Sequence, residues 1–194
     1  MKKYCMILSL VVVAFSSCDK ETIRGGGAVN TQERTVAAFT GVRLHGESDA
    51  IISYGPVQQV SVTGYENLVP VFETNVIGNT LHLQYKPNKY RIKNNNIRVN
   101  IVLPVLSNVH LNGSGKVTVK DFATGDDLTA TINGSGNISV TGSTYNKVDL
   151  DINGSGDITT NTSPAVNAVA EIHGSGHIRL KVSNRLDASI SGFG

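Results

Sequence analysis

The chain has 194 residues and a formal net charge of +2, which bounds it to one modest domain and speaks against a nucleic-acid binder. Aromatic residues make up 6 % with no Trp, charged residues 16 %, and Gly fills 20 positions, so a helical bundle and an acidic disordered chain are both poor fits. Both cysteines, Cys5 and Cys18, fall in the first eighteen residues, leaving the body without a disulfide framework or a thiolate metal site.

In chain order, Met1-Lys2-Lys3 precedes an apolar run from Cys5 to Phe15, the pattern of a secretory signal over residues 1–17. The run is too short to cross a bilayer. Its end, Ala14-Phe15-Ser16-Ser17-Cys18, resembles the bacterial lipobox, with Phe15 where Leu is usual. That resemblance implies lipid attachment at Cys18, a membrane partner through the anchor, and a place on the outer membrane at the cell surface. Loss of residues 1–17 removes Lys2 and Lys3 and no acid, leaving 15 basic against 15 acidic residues, so steering by overall charge is not expected. Asp19-Lys20-Glu21 is similar to the charged export signals of Bacteroidetes-type surface lipoproteins. Residues 18–34, with Gly25-Gly26-Gly27, read as a flexible tether.

The domain proper is expected over 35–194, with an N-terminal module of strands at 35–106. Val42-Arg43-Leu44-His45-Gly46 matches Val109-His110-Leu111-Asn112-Gly113, which predicts a first coil near residue 40. The pattern then lapses. Val60 to Gly64, Thr80 to Tyr85 after a Gly78-Asn79 turn, and Ile97 to Leu103 alternate as strands, with a short irregular or helical piece between Tyr65 and Glu73. This module is predicted to cap the open end of a solenoid formed by the C-terminal half.

From 107 to 194 a repeat sets the architecture. Gly113-Ser114-Gly115, Gly134-Ser135-Gly136, Gly154-Ser155-Gly156 and Gly174-Ser175-Gly176 recur at steps of 21, 20 and 20, and a degenerate fifth turn arrives at Gly192. Inward positions, nearly all apolar, alternate before each turn (Leu128, Ala130, Ile132; Val148, Leu150, Ile152) and after it (Ile138, Val140; Ile158, Thr160). Helical spacing is absent. The pattern predicts an all-β, right-handed parallel β-helix with coils of about 20 residues, each stacked about 4.8 Å above the last. The turn suits a sharp corner, because Asn and Gly tolerate positive φ and small residues stack coil over coil. A phosphate cradle would need such a loop to lead into a helix, and every copy leads into a strand.

Val99 to Leu106 leading into Val109 to Gly115, the later Gly-Ser-Gly copies, and upstream Phe39-Thr40-Gly41-Val42 and Gly64 to Leu68 resemble the putative auto-transporter adhesin family with its head GIN domain. The resemblance covers about residues 36 to 194. It implies a β-helical fold, a Bacteroidetes-type lipoprotein and an adhesive role, and it supplies no catalytic residues. The family's domain usually continues past such a turn, whereas this sequence stops at Gly194. Truncation is the simpler expectation; otherwise the last coil offers an exposed edge to a partner or a second copy of the chain.

Asp149, Asp151 and Glu171 project from the strands before the turns, with Asp151 and Glu171 expected about 5 Å apart on adjacent coils. Stacked carboxylates begin a calcium site, but Thr129, Thr131 and Val169 break the column, so a solvated acidic binding face is expected, with no metal and no cofactor. His173 and His177 flank one turn, with Asp157 stacked near His177, and read as His in place of Asn at a ladder position. The serines repeat where a nucleophile would be unique. The resulting expectation is a non-enzymatic surface protein, an adhesin or assembly component holding a glycan or a surface protein. The alternative is a polysaccharide-active, pectinase-like β-helix enzyme, disfavoured because acids, Arg179 and Lys181 spread over two faces and the only aromatic platforms are tyrosines such as Tyr54, Tyr85, Tyr90 and Tyr145.

Overall fold

Alternation with period two buries every second residue along most of the strands, and this governs how the two main sheets face each other. A computed structural model of the chain describes residues 20–122 and 127–193. The signal segment, Cys18 and Gly194 lie outside the described residues. Among the described residues the only helical element is a 3-10 turn at Val69–Val71, where Pro70 fits the first turn, and no helix is long and apolar enough to cross a membrane.

The N-terminal half forms β1 (Glu21–Arg24), β2 (Val29–Glu33), β3 (Gly41–Gly46), β4 (Asp49–Tyr54), β5 (Gln59–Tyr65), β6 (Phe72–Ile77), β7 (Thr80–Tyr85), β8 (Tyr90–Lys93) and β9 (Arg98–Leu103). The repeat forms β10 (Asn108–Gly113), β11 (Lys116–Lys120), β12 (Leu128–Gly134), β13 (Asn137–Thr141), β14 (Tyr145–Gly154), β15 (Asp157–Thr162), β16 (Ala165–Gly174), β17 (His177–Arg179) and β18 (Val182–Gly192). Two eight-stranded sheets result, ordered β18-β16-β14-β12-β10-β3-β7-β6 and β17-β15-β13-β11-β4-β9-β5-β2. Strands on either side of each Gly-Ser-Gly corner fall in different sheets, and each pairs in parallel with its equivalent one repeat on.

The inward residues fill the space between the sheets. Leu111, Val117, Val119, Ile132, Val140, Val148, Ile152 and Ile158 are fully buried. Each such side chain contributes about 2 kcal/mol by leaving water, set against the entropy of ordering its coil. Ser143 and Ser163, at equivalent points of two coils, are also buried; Ser163 Oγ accepts from the Ser143 backbone N–H at 3.1 Å, and Ser143 Oγ accepts from that of Phe122 at 3.1 Å.

The strand predicted to begin near residue 40 is present as β3, in the register that its match to Val109–Gly113 predicts. β3 pairs with β10 in parallel, Val42 beside Val109, Leu44 beside Leu111 and Gly46 beside Gly113, while β4 pairs with β11. On their other side β3 and β4 meet β7 and β9, also in parallel. Beyond those, the pairing turns antiparallel: β6 with β7 through the Gly78-Asn79 turn, and β5 with β9 and β2. Antiparallel strands thus form the end of both sheets where the repeat lapses, with β6 and β2 as the edge strands.

The flexible tether expected over residues 18–34 is corrected by the structure, in which β1 pairs with β8 and β2 pairs with β5. The three-glycine run is a turn between them rather than a loose chain: Gly25 N–H donates to the Lys93 carbonyl at 2.8 Å, and Asn94 donates to the Gly25 carbonyl at 2.9 Å. Arg34 follows as a clip, its guanidinium donating to the carbonyls of Val69 at 2.6 Å and Phe72 at 3.4 Å.

Candidate functional site

Each corner is held by backbone contacts that exclude side chains. Gly134, Gly154 and Gly174 adopt φ of 138°, 140° and 142°, a region that side chains rarely enter. A Cβ on any of them would overlap the carbonyl oxygen of the turn glycine one coil before. Those same oxygens accept backbone hydrogen bonds from the next coil, Ser135 N–H to Gly113 at 3.0 Å, Ser155 to Gly134 at 2.9 Å and Ser175 to Gly154 at 2.9 Å. The corner glycines therefore act as structure. Ser114, Ser135, Ser155 and Ser175 are exposed, one at each Gly-Ser-Gly corner.

Outward residues of the first sheet form columns along the stack. One column runs His82, Arg43, His110, Thr131, Asp151, Glu171 and Ser189, each beside the next across a strand pair. Its neighbour runs His45, Asn112, Asn133, Asn153, His173 and Ser191. Asn133 donates to Asn112 Oδ1 at 3.0 Å, so part of this column is an amide ladder. The face is thus imidazole-rich around Arg43 at the N-terminal end and acidic toward the last repeats.

At the N-terminal end the rings of His45 and His82 stack with centroids 5.9 Å apart. Burial lowers the pKa of His45, helped by His82 and Arg43; burial and Arg43 lower that of His82; and burial, Arg43 and His82 lower that of His110. These imidazoles are neutral at pH 7, which removes repulsion beside the Arg43 guanidinium.

At the acidic end Asp151 lies beside Glu171, the neighbours predicted from the repeat. Asp149 is drawn off into an ion pair with Lys147 at 2.9 Å on its own strand. The structure adds a residue that the acidic face did not include: His173, whose Nε2 is 3.9 Å from Glu171 Oε2. Its signal in the sequence is His where three other coils carry Asn. His177 lies in the other sheet, 3.2 Å from Asp157 as the stacking predicts, with Arg179 3.8 Å from the same carboxylate. His173 and His177 therefore serve different faces. Of the tyrosines, Tyr145 is buried in the core and Tyr85 packs edge-on to Phe72 while donating to Asn95 at 2.8 Å. Tyr54 is exposed on the second sheet and Tyr90 carries the Lys89 ammonium over its ring, so no continuous aromatic platform forms from these four.

The model of the family described as "Putative auto-transporter adhesin, head GIN domain" matches residues 38–194. No curated relative matches the chain. Several solved structures share its fold. A putative adhesin from Bacteroides fragilis is 19 % identical with a TM-score of 0.60, covering 89 % of this chain and 97 % of its own. A putative adhesin from Parabacteroides distasonis is 21 % identical with a TM-score of 0.64, covering 89 % and 82 %. A putative lipid binding protein from the same species is 18 % identical with a TM-score of 0.54, covering 90 % and 100 %.

Proposed function

The chain belongs to the family described as "Putative auto-transporter adhesin, head GIN domain", and from that premise we propose that it is a non-enzymatic binding protein of the cell surface. In this reading the two parallel sheets are the walls of a right-handed β-helix, Cys18 carries a lipid that anchors it to the outer membrane, and the outward columns hold a glycan or a surface protein. The observation that supports it is the periodic polar face. Asn112, Asn133, Asn153 and His173 repeat once per coil beside the exposed Ser114, Ser135, Ser155 and Ser175. At a pitch of about 4.8 Å, such a face offers the same donors and acceptors at regular steps, which suits an extended, repetitive ligand. Adhesion of this kind requires many weak contacts rather than one deep pocket.

The test exposes residues 20–194 to immobilised and free polysaccharides and to surface-protein extracts, and scores retention and chain cleavage separately. Retention without cleavage, weakened when Asn133 and Asn153 are both replaced by Ala, is the expected result. Cleavage abolished by replacing Asp151 or Glu171 would establish the polysaccharide-active alternative instead.

A further inference from the structure

Three side chains of ligand type converge on the outward face near the last coils. Asp151 on β14 and Glu171 and His173 on β16 each present one ligand atom within 4.8 Å of the other two. Parallel register sets Asp151 beside Glu171 and Asn153 beside His173, and the two-residue strand period keeps Glu171 and His173 on one face. Asp151 is oriented by its own strand, since Asn153 donates to its Oδ2 at 2.8 Å. Its other oxygen, Oδ1, is shielded by its neighbours and has no hydrogen-bond partner among the described residues, while the residue as a whole is half-buried on the outward face. That oxygen is free to accept a cation.

The repeat shows that the corner itself does not demand this chemistry. At the position of His173 the three preceding repeats carry Asn112, Asn133 and Asn153 and the first carries His45, while at that of Asp151 and Glu171 the earlier repeats carry Arg43, His110 and Thr131. Among the described residues of these two columns, two acids thus stand beside an imidazole only on β14 and β16.

We propose that Asp151, Glu171 and His173 form a binding site for a divalent transition ion of the zinc type. One imidazole nitrogen with two carboxylate oxygens is a donor set that zinc accepts, whereas calcium takes six to eight oxygens. Ligand atoms around a tetrahedral zinc sit about 3.3 Å apart, given bonds of about 2.0–2.1 Å. The side chains of His173 and Glu171 are 51 % and 52 % exposed and free to close that distance. Asn153 would hold Asp151 in place as an outer-shell partner does. Three protein ligands leave a coordination position open to solvent.

Calorimetric titration of the full chain with Zn2+, and separately with Ca2+, tests this. The variants are His173→Asn, which installs the residue of three other coils, Glu171→Thr, which installs that of Thr131, and His177→Asn as a control on the other sheet. Expected are one zinc site, at least tenfold weaker in His173→Asn and in Glu171→Thr, unchanged in His177→Asn, and no calcium binding at the same concentrations. Absence of zinc binding, zinc binding equal in the parent and in either of the first two variants, or calcium bound as tightly as zinc would overturn it. Thermal melts of each variant separate a lost site from a lost fold, and the outcome is independent of whether the protein binds a glycan.

Discussion

Replacing Gly154 by Ala tests whether the corner ladder is structural. Gly154 has φ of 140°, and a Cβ there would overlap the Gly134 carbonyl oxygen, the acceptor of the Ser155 N–H at 2.9 Å. Backbone strain in this region costs about 2 kcal/mol. Displacing the carbonyl loses a hydrogen bond of about 1 kcal/mol. The sum, about 3 kcal/mol, lowers the Tm by roughly 6–12 °C for a domain of this size. Gly46→Ala is the internal comparison, because Gly46 also has positive φ, 92°, but nothing lies within 4 Å of its Cβ position. It should cost the strain alone, about 2 kcal/mol. Ser155→Ala, on an exposed side chain, should stay within about 0.5 kcal/mol. Thermal and urea unfolding of the three variants gives the ranking. A Gly154→Ala protein that melts with the parent, or a Gly46→Ala protein that melts lower than Gly154→Ala, refutes the account of close backbone approach.

Ile132→Ala removes a fully buried side chain between the sheets and should destabilise by about 2–5 kcal/mol in urea unfolding. Arg34→Met should lose about 1.5–3 kcal/mol, since it deletes charged hydrogen bonds to the Val69 and Phe72 carbonyls, and hydrogen exchange should show β2 loosening first. Stability should also fall with acidification. The folded pKa values of His45, His82 and His110 lie below the unfolded value of 6.5, so the unfolded chain binds more protons in that window. The contribution is complete above pH 6.5 and declines as pH drops below it; melts from pH 8 to 5 check this, and His110→Thr should flatten the slope. Asp157→Asn breaks only an exposed contact with His177 and Arg179 and should change stability by less than about 1 kcal/mol.

The repeat makes the coils legible because every level agrees: apolar alternation, turn chemistry and a constant step. The register of β3 on β10 follows from five matched residues, and the pairing of Asp151 with Glu171 from the step alone. The segment before residue 35 reads as a tether because β2, Val-Asn-Thr-Gln-Glu, is exposed throughout; it is a strand through its backbone pairing with β5, which leaves no pattern in side chains. His173 is legible as an exception to the Asn ladder, flanking one turn with His177. The corner sends those two into different sheets, and the ionisable neighbour of His173 lies instead two residues back, at Glu171.

The place of β3 and β4 between β7 and β9 and the repeat bears on how the chain reaches its fold. Each later coil closes a loop of about twenty residues onto a surface already made, a small entropic step that propagates like a zipper. The first coil has no such surface. β4 ends at Tyr54, and the strands that flank it and β3 on their two sides, β7, β9, β10 and β11, are made only later, up to Lys120. During synthesis it waits as an apolar, unpaired segment for partners far along the chain, the circumstance that slows folding and invites misassembly.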